Sequence, residues 1–599
     1  MLSKYKARAT NFRETAINLQ QRYDRLGILR LGAFLALVAM VILSWREAPW
    51  WTALPLTIGG IVAFGQLVGW HSRIQSNAKH HGYLADINEQ EIEALNNNYT
   101  IFETGGQFID PLHPYSYDLD IFGSHSIFQM LNRAKTSIGQ SRLASWLYEP
   151  GDTKDIEERQ LAAKELSTLL DWQHNLRAYG ADLSEKEGQI NSLYQWLKEP
   201  PIVLGNQLRI AMLFIAPVLC VVSIYLWIMI WPWYLAFLLL LPAAWVLSKS
   251  KEAVDKLHIL TGKAADTLKN YSQLIEQIEQ QTFDSLLLQS LQSYFKPAGK
   301  NHASMAISKL AYRLSQLDVR YNPFAVFLQL SVAWDLQQAW RLDKWKAQYA
   351  EELPQWFESL ATIEALISLG NLHLNKPSWV FPTINENNRF DAIELGHPLL
   401  PDANCVNNDI KMPTQGYMHL ITGSNMAGKS TWLRSVATNM VLALSGAPVR
   451  AQSFTMPQMQ VYTSMRTQDA LHESTSSFYA ELKRLKFIIE AVEDPTKTNG
   501  RPVFFLLDEI LKGTNSRDRH TGSKALIRQL IASAGAGLIA THDLELGVLE
   551  AEANGRIENW AIEVDIQNDE LYFDYKIKRG VSQSFNATLL MQKMGIKIS

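Results

Sequence analysis

The stretch Gly423-Ser424-Asn425-Met426-Ala427-Gly428-Lys429-Ser430 follows the pattern G-x-x-x-x-G-K-[ST]. Glycines at that spacing let backbone N–H groups close around a phosphate, and a helix starting directly after them adds the positive end of its dipole. Lys429 has the reach for β- and γ-phosphates, and a hydroxyl such as that of Ser430 binds Mg2+. These residues, with Thr431 in the same turn, are the candidate nucleotide contacts. Further along, the apolar run Val503-Phe504-Phe505-Leu506-Leu507 ends in Asp508-Glu509. Asp508 would hold Mg2+ directly or through water, and Glu509 would orient or deprotonate the attacking water. A third apolar stretch, Gly537–Ile539, leads into Ala540-Thr541-His542-Asp543, so His542 is a candidate γ-phosphate contact. Lys429, Glu509 and His542 are thus the catalytic candidates, and Ser430 and Asp508 the metal ligands. The chemistry this set suits is hydrolysis of ATP with Mg2+.

Such a site needs particular elements around it. Met418–Thr422 reads as a strand entering the glycine-rich loop, and Thr431–Leu444 as the helix leaving it, which is the context the motif requires. Val503–Leu507 is continuously apolar, as a strand covered on both faces must be. From about Trp379 onward short apolar strands alternate with helices, so the C-terminal part is expected to be an α/β domain. Residues 75–200 and 250–370 read as mostly helical: Ser126–Leu147 and Leu257–Leu288 carry apolar residues at three- and four-residue spacing. No internal repeat or low-complexity tract interrupts this pattern.

Two further regions are apolar on every face. Residues 1–25 form a basic amphipathic stretch, followed by apolar segments at about 26–45 and 50–70 joined by Arg46-Glu47-Ala48-Pro49. Residues 210–247 contain no charged side chain, with Trp231-Pro232-Trp233 offering a turn midway. A helix needs about 20 apolar residues to span a bilayer. Trp45, Trp50, Trp51 and Trp70 stand at the segment ends, where aromatic rings favour the membrane interface. Both regions are therefore expected to be transmembrane hairpins. Lys4, Lys6, Arg8, Arg13, Arg22, Arg25 and Arg30 precede the first, and Arg209, Lys249 and Lys251 flank the second. Positive flanks stay cytoplasmic, which puts both termini and the ATPase part on the cytoplasmic side of the cell membrane. No cleavable signal peptide is expected from the polar start. Net charge is −3, so composition gives no support for nucleic-acid binding, although a local basic face is compatible with it. The two cysteines, Cys220 and Cys405, are no disulfide scaffold.

Taken together, these residues resemble the MutS family of DNA mismatch repair ATPases. Ile421–Thr431 is similar to that family's P-loop, with its Asn-Met pair at Asn425 and Met426. Leu507-Asp508-Glu509, followed by Gly513-Thr514-Asn515-Ser516, looks like its Walker B and D-loop; Ala540-Thr541-His542 looks like its switch histidine. Ser476-Ser477-Phe478 with Glu481 resembles its ABC signature. Leu395-Gly396-His397-Pro398 and Val406-Asn407-Asn408-Asp409 resemble the stretch upstream of the P-loop, and Gly580–Phe585 the segment that closes the domain. The likeness runs from about Asp391 to Ser599. A weaker one, at Leu119–Phe122, Ser141–Leu147 and Glu158-Arg159-Gln160, resembles the start of the family's core (lever) domain.

The resemblance implies an ABC-type P-loop ATPase domain at 379–599 behind an all-α core-like domain at 76–378 that the second hairpin interrupts, with 1–75 as basic helix and first hairpin. It implies ATP and Mg2+ as cofactors, and a homodimer in which the signature of one subunit, Ser476 and Ser477, meets the nucleotide on the P-loop of the other. Cys405 stands where many members carry an aromatic that packs the adenine, leaving Val406 for that contact. Ser424 and Ala427, both small, replace residues that are usually Pro and often Gly in the family. The mismatch-reading and connector domains have no counterpart in the sequence. Phe12-Arg13-Glu14 has the spacing of the family's Phe-x-Glu wedge without the domain that would present it. Three functions are compatible: a membrane-tethered MutS-like ATPase acting on mismatched or structured DNA, a membrane-bound ATP-driven switch acting on a protein partner, and a transporter. The transporter is the weakest, because apart from Arg30 the spans hold no ionisable residue to mark a path.

Overall fold

The protein is described by a computed structural model covering residues 1–183, 188–262, 264–297, 299–322, 325–424, 426–466, 477–567 and 570–583. Two compact units share the chain: residues 1–92, 135–139 and 171–363 form one, and 93–134, 140–170 and 364–599 the other. The N-terminal part is mostly helical and the C-terminal part is an α/β mixed-sheet region.

The first unit opens with two long helices, α1 (Leu2–Glu47) and α2 (Trp50–Leu95). At 1.5 Å per residue each is roughly 70 Å long, well over twice a bilayer core. The halves near the chain start and the end of α2 behave as soluble helices. Tyr5 is buried and stacks on His174, Phe12 packs on Leu84, Ile87 and Ala178, and Arg13 pairs with Asp86 at 2.7 Å and Glu89 at 2.9 Å. Phe12 is thus part of a helix interface within the chain, not a free wedge. Arg177 and Glu91 form an ion pair at 2.6 Å with both side chains buried. The distal halves differ. Leu31, Leu35, Ile42, Leu54, Ile58 and Ile61 all face outward. Where the two textures meet, Arg30 Nη1 lies 3.3 Å from His71 Nδ1, and His71 Nε2 lies 3.1 Å from the Tyr23 carbonyl oxygen.

The second apolar region forms the helix Gln207–Met229, a break at Ile230-Trp231-Pro232, and a helical run from Trp233 to Thr261. Pro232 supplies the fixed φ that starts the returning helix and lacks the N–H that would prolong the first. Ser223 Oγ donates to the Ala236 carbonyl at 2.8 Å, satisfying a hydroxyl that an apolar surround would otherwise leave bare. Four helices among the described residues are long and apolar enough to cross a membrane.

In the second unit a six-stranded sheet runs in the order β10-β9-β4-β8-β7-β6, where β4 is Tyr417–Thr422, β6 Gln460–Ser464, β7 Val503–Asp508, β8 Ala536–Thr541, β9 Ile557–Gln567 and β10 Glu570–Arg579. All neighbours pair parallel except β10, which returns antiparallel along β9. A smaller sheet, order β1-β5-β2-β3, joins Thr383–Asn385, Ser453–Pro457, Arg389–Leu395 and Asn408–Pro413. Every residue of β8 is buried, as are all of β7 but its last and all of β4 but its first. The helices Ser477–Glu493 and Ser516–Ala532 cover one face, with Leu485, Ile488, Ile527 and Leu530 against Phe505 and Leu507. Parallel strands end at one edge, so the loops after β4, β7 and β8 are brought side by side.

Candidate functional site

Register puts the three chemical loops together. Thr422 pairs with Thr541, and Asp508 with Ala540, so the ends of β4, β7 and β8 are level. Gly423 leaves β4 with φ +152°, and a Cβ there would lie 2.5 Å from the Ile562 carbonyl oxygen. Gly428 has φ +98° and caps the helix Lys429–Ser445; a Cβ on it would lie 2.9 Å from the Tyr575 ring. Both positions need glycine for conformation and for space.

Lys429 is 4% exposed and its Nζ donates to the carbonyls of Gly423 and Ser424, each at 2.8 Å. Burial lowers its pKa, against the pull of Glu509 and Asp508. The side chain is therefore curled over its own loop, an ammonium with two neutral partners and two carboxylates nearby. Burial raises the Asp508 carboxyl, and a hydrogen bond from Ser430 opposes that shift. Asp508 Oδ1 is buried without a hydrogen-bond partner among the described residues. A buried acceptor left open beside a serine hydroxyl has the donor chemistry of a hard divalent cation site, so Ser430 and Asp508 fit Mg2+.

Glu509 turns the chain with φ +50°, unusual for a residue with a side chain, and its N–H donates to the Ala540 carbonyl at 2.9 Å. Its carboxylate meets Lys512 Nζ at 3.1 Å and His542 Nδ1 at 3.5 Å. Burial alone would raise its pKa; the hydrogen bond to Lys512 and the charges of Lys512, His542 and Lys429 outweigh it and hold the group below the ordinary range. Glu509 is thus kept ionised beside His542. Leu511, also at positive φ, donates its N–H to Glu481 on the helix Ser477–Glu493. Phe478 packs so close to Gly513 that a Cβ there would lie 2.6 Å from its own. The start of that helix and the turn after β7 therefore form one packed unit within the chain. A cavity of about 420 Å3 opens beside Asp508 and Glu509, with Arg466, Arg484 and Lys512 in its wall.

Lys429, Ser430, Asp508, Glu509 and His542 are thus gathered at one sheet edge. Thr431 lies in the first turn of the same helix, Val406 is half-buried, and Met426 is 61% exposed. Asn425 and Ser476 lie outside the described residues, as does the Ser477 side chain.

Two features escape a reading of the sequence. Tyr575 comes from β10, where the register with β9 shifts between Phe573 and Ile577 and Tyr575 takes φ +51°. That irregularity brings its ring over Gly428, and Asn408 Nδ2 donates to its carbonyl at 3.0 Å. An aromatic therefore stands beside the Val406-Asn407-Asn408 segment after all, delivered from a different strand. Nothing in the local pattern of β10 announces a bulge. The second feature is Asp120, which accepts from Arg434 at 3.1 Å and Arg466 at 2.6 Å, while Asp118 accepts from Thr463 Oγ1 at 2.7 Å and the Met465 N–H at 3.0 Å. The segment 118–120 thereby ties the P-loop helix to the end of β6.

Comparison with known proteins agrees with this geometry. Residues 419–594 match the family model described as MutS domain V. The "DNA mismatch repair protein MutS" of Aquifex pyrophilus is 32% identical over 225 residues, 37% of this chain and 25% of that protein. The protein of the same description from Persephonella marina is 28% identical over 244 residues, 40% of this chain and 27% of its own length. The "DNA mismatch repair protein MSH3" of Phaeosphaeria nodorum is 31% identical over 250 residues, 40% of this chain and 21% of that protein. The chain spans about a quarter of the length of the curated relatives it matches.

Proposed function

We propose that this chain, whose C-terminal part belongs to the MutS family, is a membrane-tethered ATPase that works as a homodimer and acts on DNA in a mismatch-repair-related role. The observation that carries the ATPase reading is the Lys429–Ser430–Asp508–Glu509–His542 cluster at the edge of a parallel sheet. Lys429 would exchange its two carbonyl partners for phosphate oxygens, which compensate its charge better. Ser430 and Asp508 would hold Mg2+, whose chemistry is to neutralise phosphate charge. Glu509 is held ionised by Lys512 and His542, which lowers its basicity and suits it to orient the attacking water more than to remove its proton. Tyr575 and Val406 would flank the base.

The membrane reading rests on the outward-facing apolar halves of α1 and α2 and on the second hairpin, both fringed by basic residues. Apolar area of that extent is unstable in water and stable in lipid. The chain would be multi-pass in the cytoplasmic membrane with its ATPase part in the cytoplasm. It should stay with membranes through salt washes and leave with detergent; release by salt alone would remove this part of the proposal.

The homodimer follows from one P-loop and one signature per chain. Mixing Lys429→Ala with a bulky change at Ser476 should restore activity, because a mixed dimer recovers one intact composite site. No recovery in demonstrated mixed dimers would refute the trans arrangement. The DNA part rests on the likeness of the C-terminal region to DNA mismatch repair proteins. It is tested by a DNA titration of the full chain at several salt concentrations, where contact with phosphates makes affinity fall steeply with salt. No binding at low salt would favour the second reading, a switch acting on a protein partner.

A further inference from the structure

One helix stands outside everything assigned so far. Ala325–Val332 has the sequence Ala-Val-Phe-Leu-Gln-Leu-Ser-Val, and no charged residue lies between Arg320 and Asp335. Such a sequence would ordinarily be core. Yet only Ala325 is buried; Val326 is 62% and Phe327 71% exposed, and Leu328, Leu330 and Val332 are half-exposed. An apolar helix that buries one residue is not a core helix.

Its neighbours in sequence show the contrast. The helix Ala303–Leu317 before it buries Ala306, Ile307, Leu310 and Leu314, and Trp334–Tyr349 after it buries Leu336, Ala339, Leu342 and Trp345. The chain leaves this pair of core helices and returns to it. Trp334 Nε1 donates to the Gln316 carbonyl at 2.9 Å, which holds departure and return points together. Arg320 pairs with Asp255 at 2.6 Å on the returning helix of the second hairpin. Ala333, at φ +50°, makes the sharp bend back. The excursion is therefore pinned at its base. Its helix packs most against Gln207–Met229, the first arm of the second apolar hairpin, then against its own chain neighbours Trp334–Tyr349 and Asp318–Tyr321, and least against Leu241–Thr261, the returning arm. Val218, Val221 and Val222 on the first arm are exposed as well.

We propose that Ala325–Val332 is a lipid-contacting helix that seats beside the second hairpin with Val326 and Phe327 in the bilayer. This rests on the membrane reading of that hairpin. Eight residues make about 12 Å of helix, against a hydrocarbon core of about 30 Å, so the segment lies in or dips into the interface and does not cross. The occupant is lipid because the exposed apolar surface continues that of the hairpin, and because the helix has no charged rim of the kind that would frame a protein-binding patch.

The test uses the full chain in lipid nanodiscs with Cys220→Ala and Cys405→Ala. Single cysteines at Phe327→Cys, Val221→Cys and Met305→Cys, the last exposed on the helix Ala303–Leu317, carry an environment-sensitive fluorophore. Lipids with a nitroxide in the acyl chain serve as quencher. Val221→Cys and Phe327→Cys should be quenched severalfold more than Met305→Cys. Quenching at Val221→Cys with Phe327→Cys no different from Met305→Cys overturns this inference and leaves the hairpin reading standing. No quenching at Val221→Cys overturns the hairpin reading itself. Phe327 is already largely exposed, so its replacement does not threaten folding.

Discussion

At the end of β7, the pKa values of two adjacent carboxylates are shifted in opposite directions by their surroundings. Burial raises the Asp508 pKa, and one of its oxygens has no partner among the described residues, an environment that a cation would reverse. Glu509, one residue on, is turned by a left-handed backbone toward Lys512 and His542 and kept ionised. The same economy of placement explains Tyr575. The sequence has Cys405 where the family resemblance implies an aromatic, and an irregular β10 brings the Tyr575 ring over Gly428. Tyr575→Ala should weaken ATP binding by about 1–2 kcal/mol, roughly five- to thirty-fold, the range for losing a stacking ring on a base. Tyr575→Phe should bind as the native chain does. Fluorescent-nucleotide titration reads both; an alanine variant with native affinity would take Tyr575 out of the base contact.

Among the elements, the helical base of α1 and α2 is the most exacting. Arg177 and Glu91 meet in the interior at 2.6 Å, while Arg13 and Glu89 meet at the surface. Removing one partner of a buried pair strands the other charge, at a typical loss of 3–5 kcal/mol, about an order above exposed pairs. Glu91→Ala should therefore lower the unfolding temperature of the detergent-solubilised chain sharply, and Glu89→Ala should barely move it. Equal, small shifts would mean that Arg177 finds compensation elsewhere. This element also shows where sequence reading ends. The strands β4, β7 and β8 are legible because a parallel strand buried on both faces must be continuously apolar. The apolar halves of α1 and α2 are legible as runs of about 20 residues apolar on every face. Their continuation as unbroken helices into a polar, packed base is not, since it depends on partners at 171–182 far along the chain. The helix Ala325–Val332 is illegible too, because a short, mostly apolar helix looks alike in a core and in lipid; exposure alone separates them. In the smaller sheet, Asn408–Pro413 alternates buried and exposed residues as a half-buried strand does, but the three-residue Thr383–Asn385 is too short to show a period.

On the scale of the whole molecule, residues 419–594 match MutS domain V in a chain that also has, among the described residues, four helices long and apolar enough to cross a membrane. The chain shares only about a quarter of the length of its curated relatives, so those proteins' other domains lend it no activity directly. It holds the cluster of Lys429, Ser430, Asp508, Glu509 and His542, and the segment 118–120 ties the helix Lys429–Ser445 to the end of β6. What it holds in addition is apolar surface. Under the proposed reading, nucleotide chemistry is performed by a chain that stays in the membrane throughout its cycle. Mg2+-dependent ATP hydrolysis by the full chain in lipid nanodiscs, native against Glu509→Gln, tests this most directly. The native chain is expected to turn over ATP, and Glu509→Gln to bind ATP with similar affinity but hydrolyse it at least about 10²-fold more slowly. Equal turnover by the two, or a native chain that binds ATP and never hydrolyses it, would contradict the account.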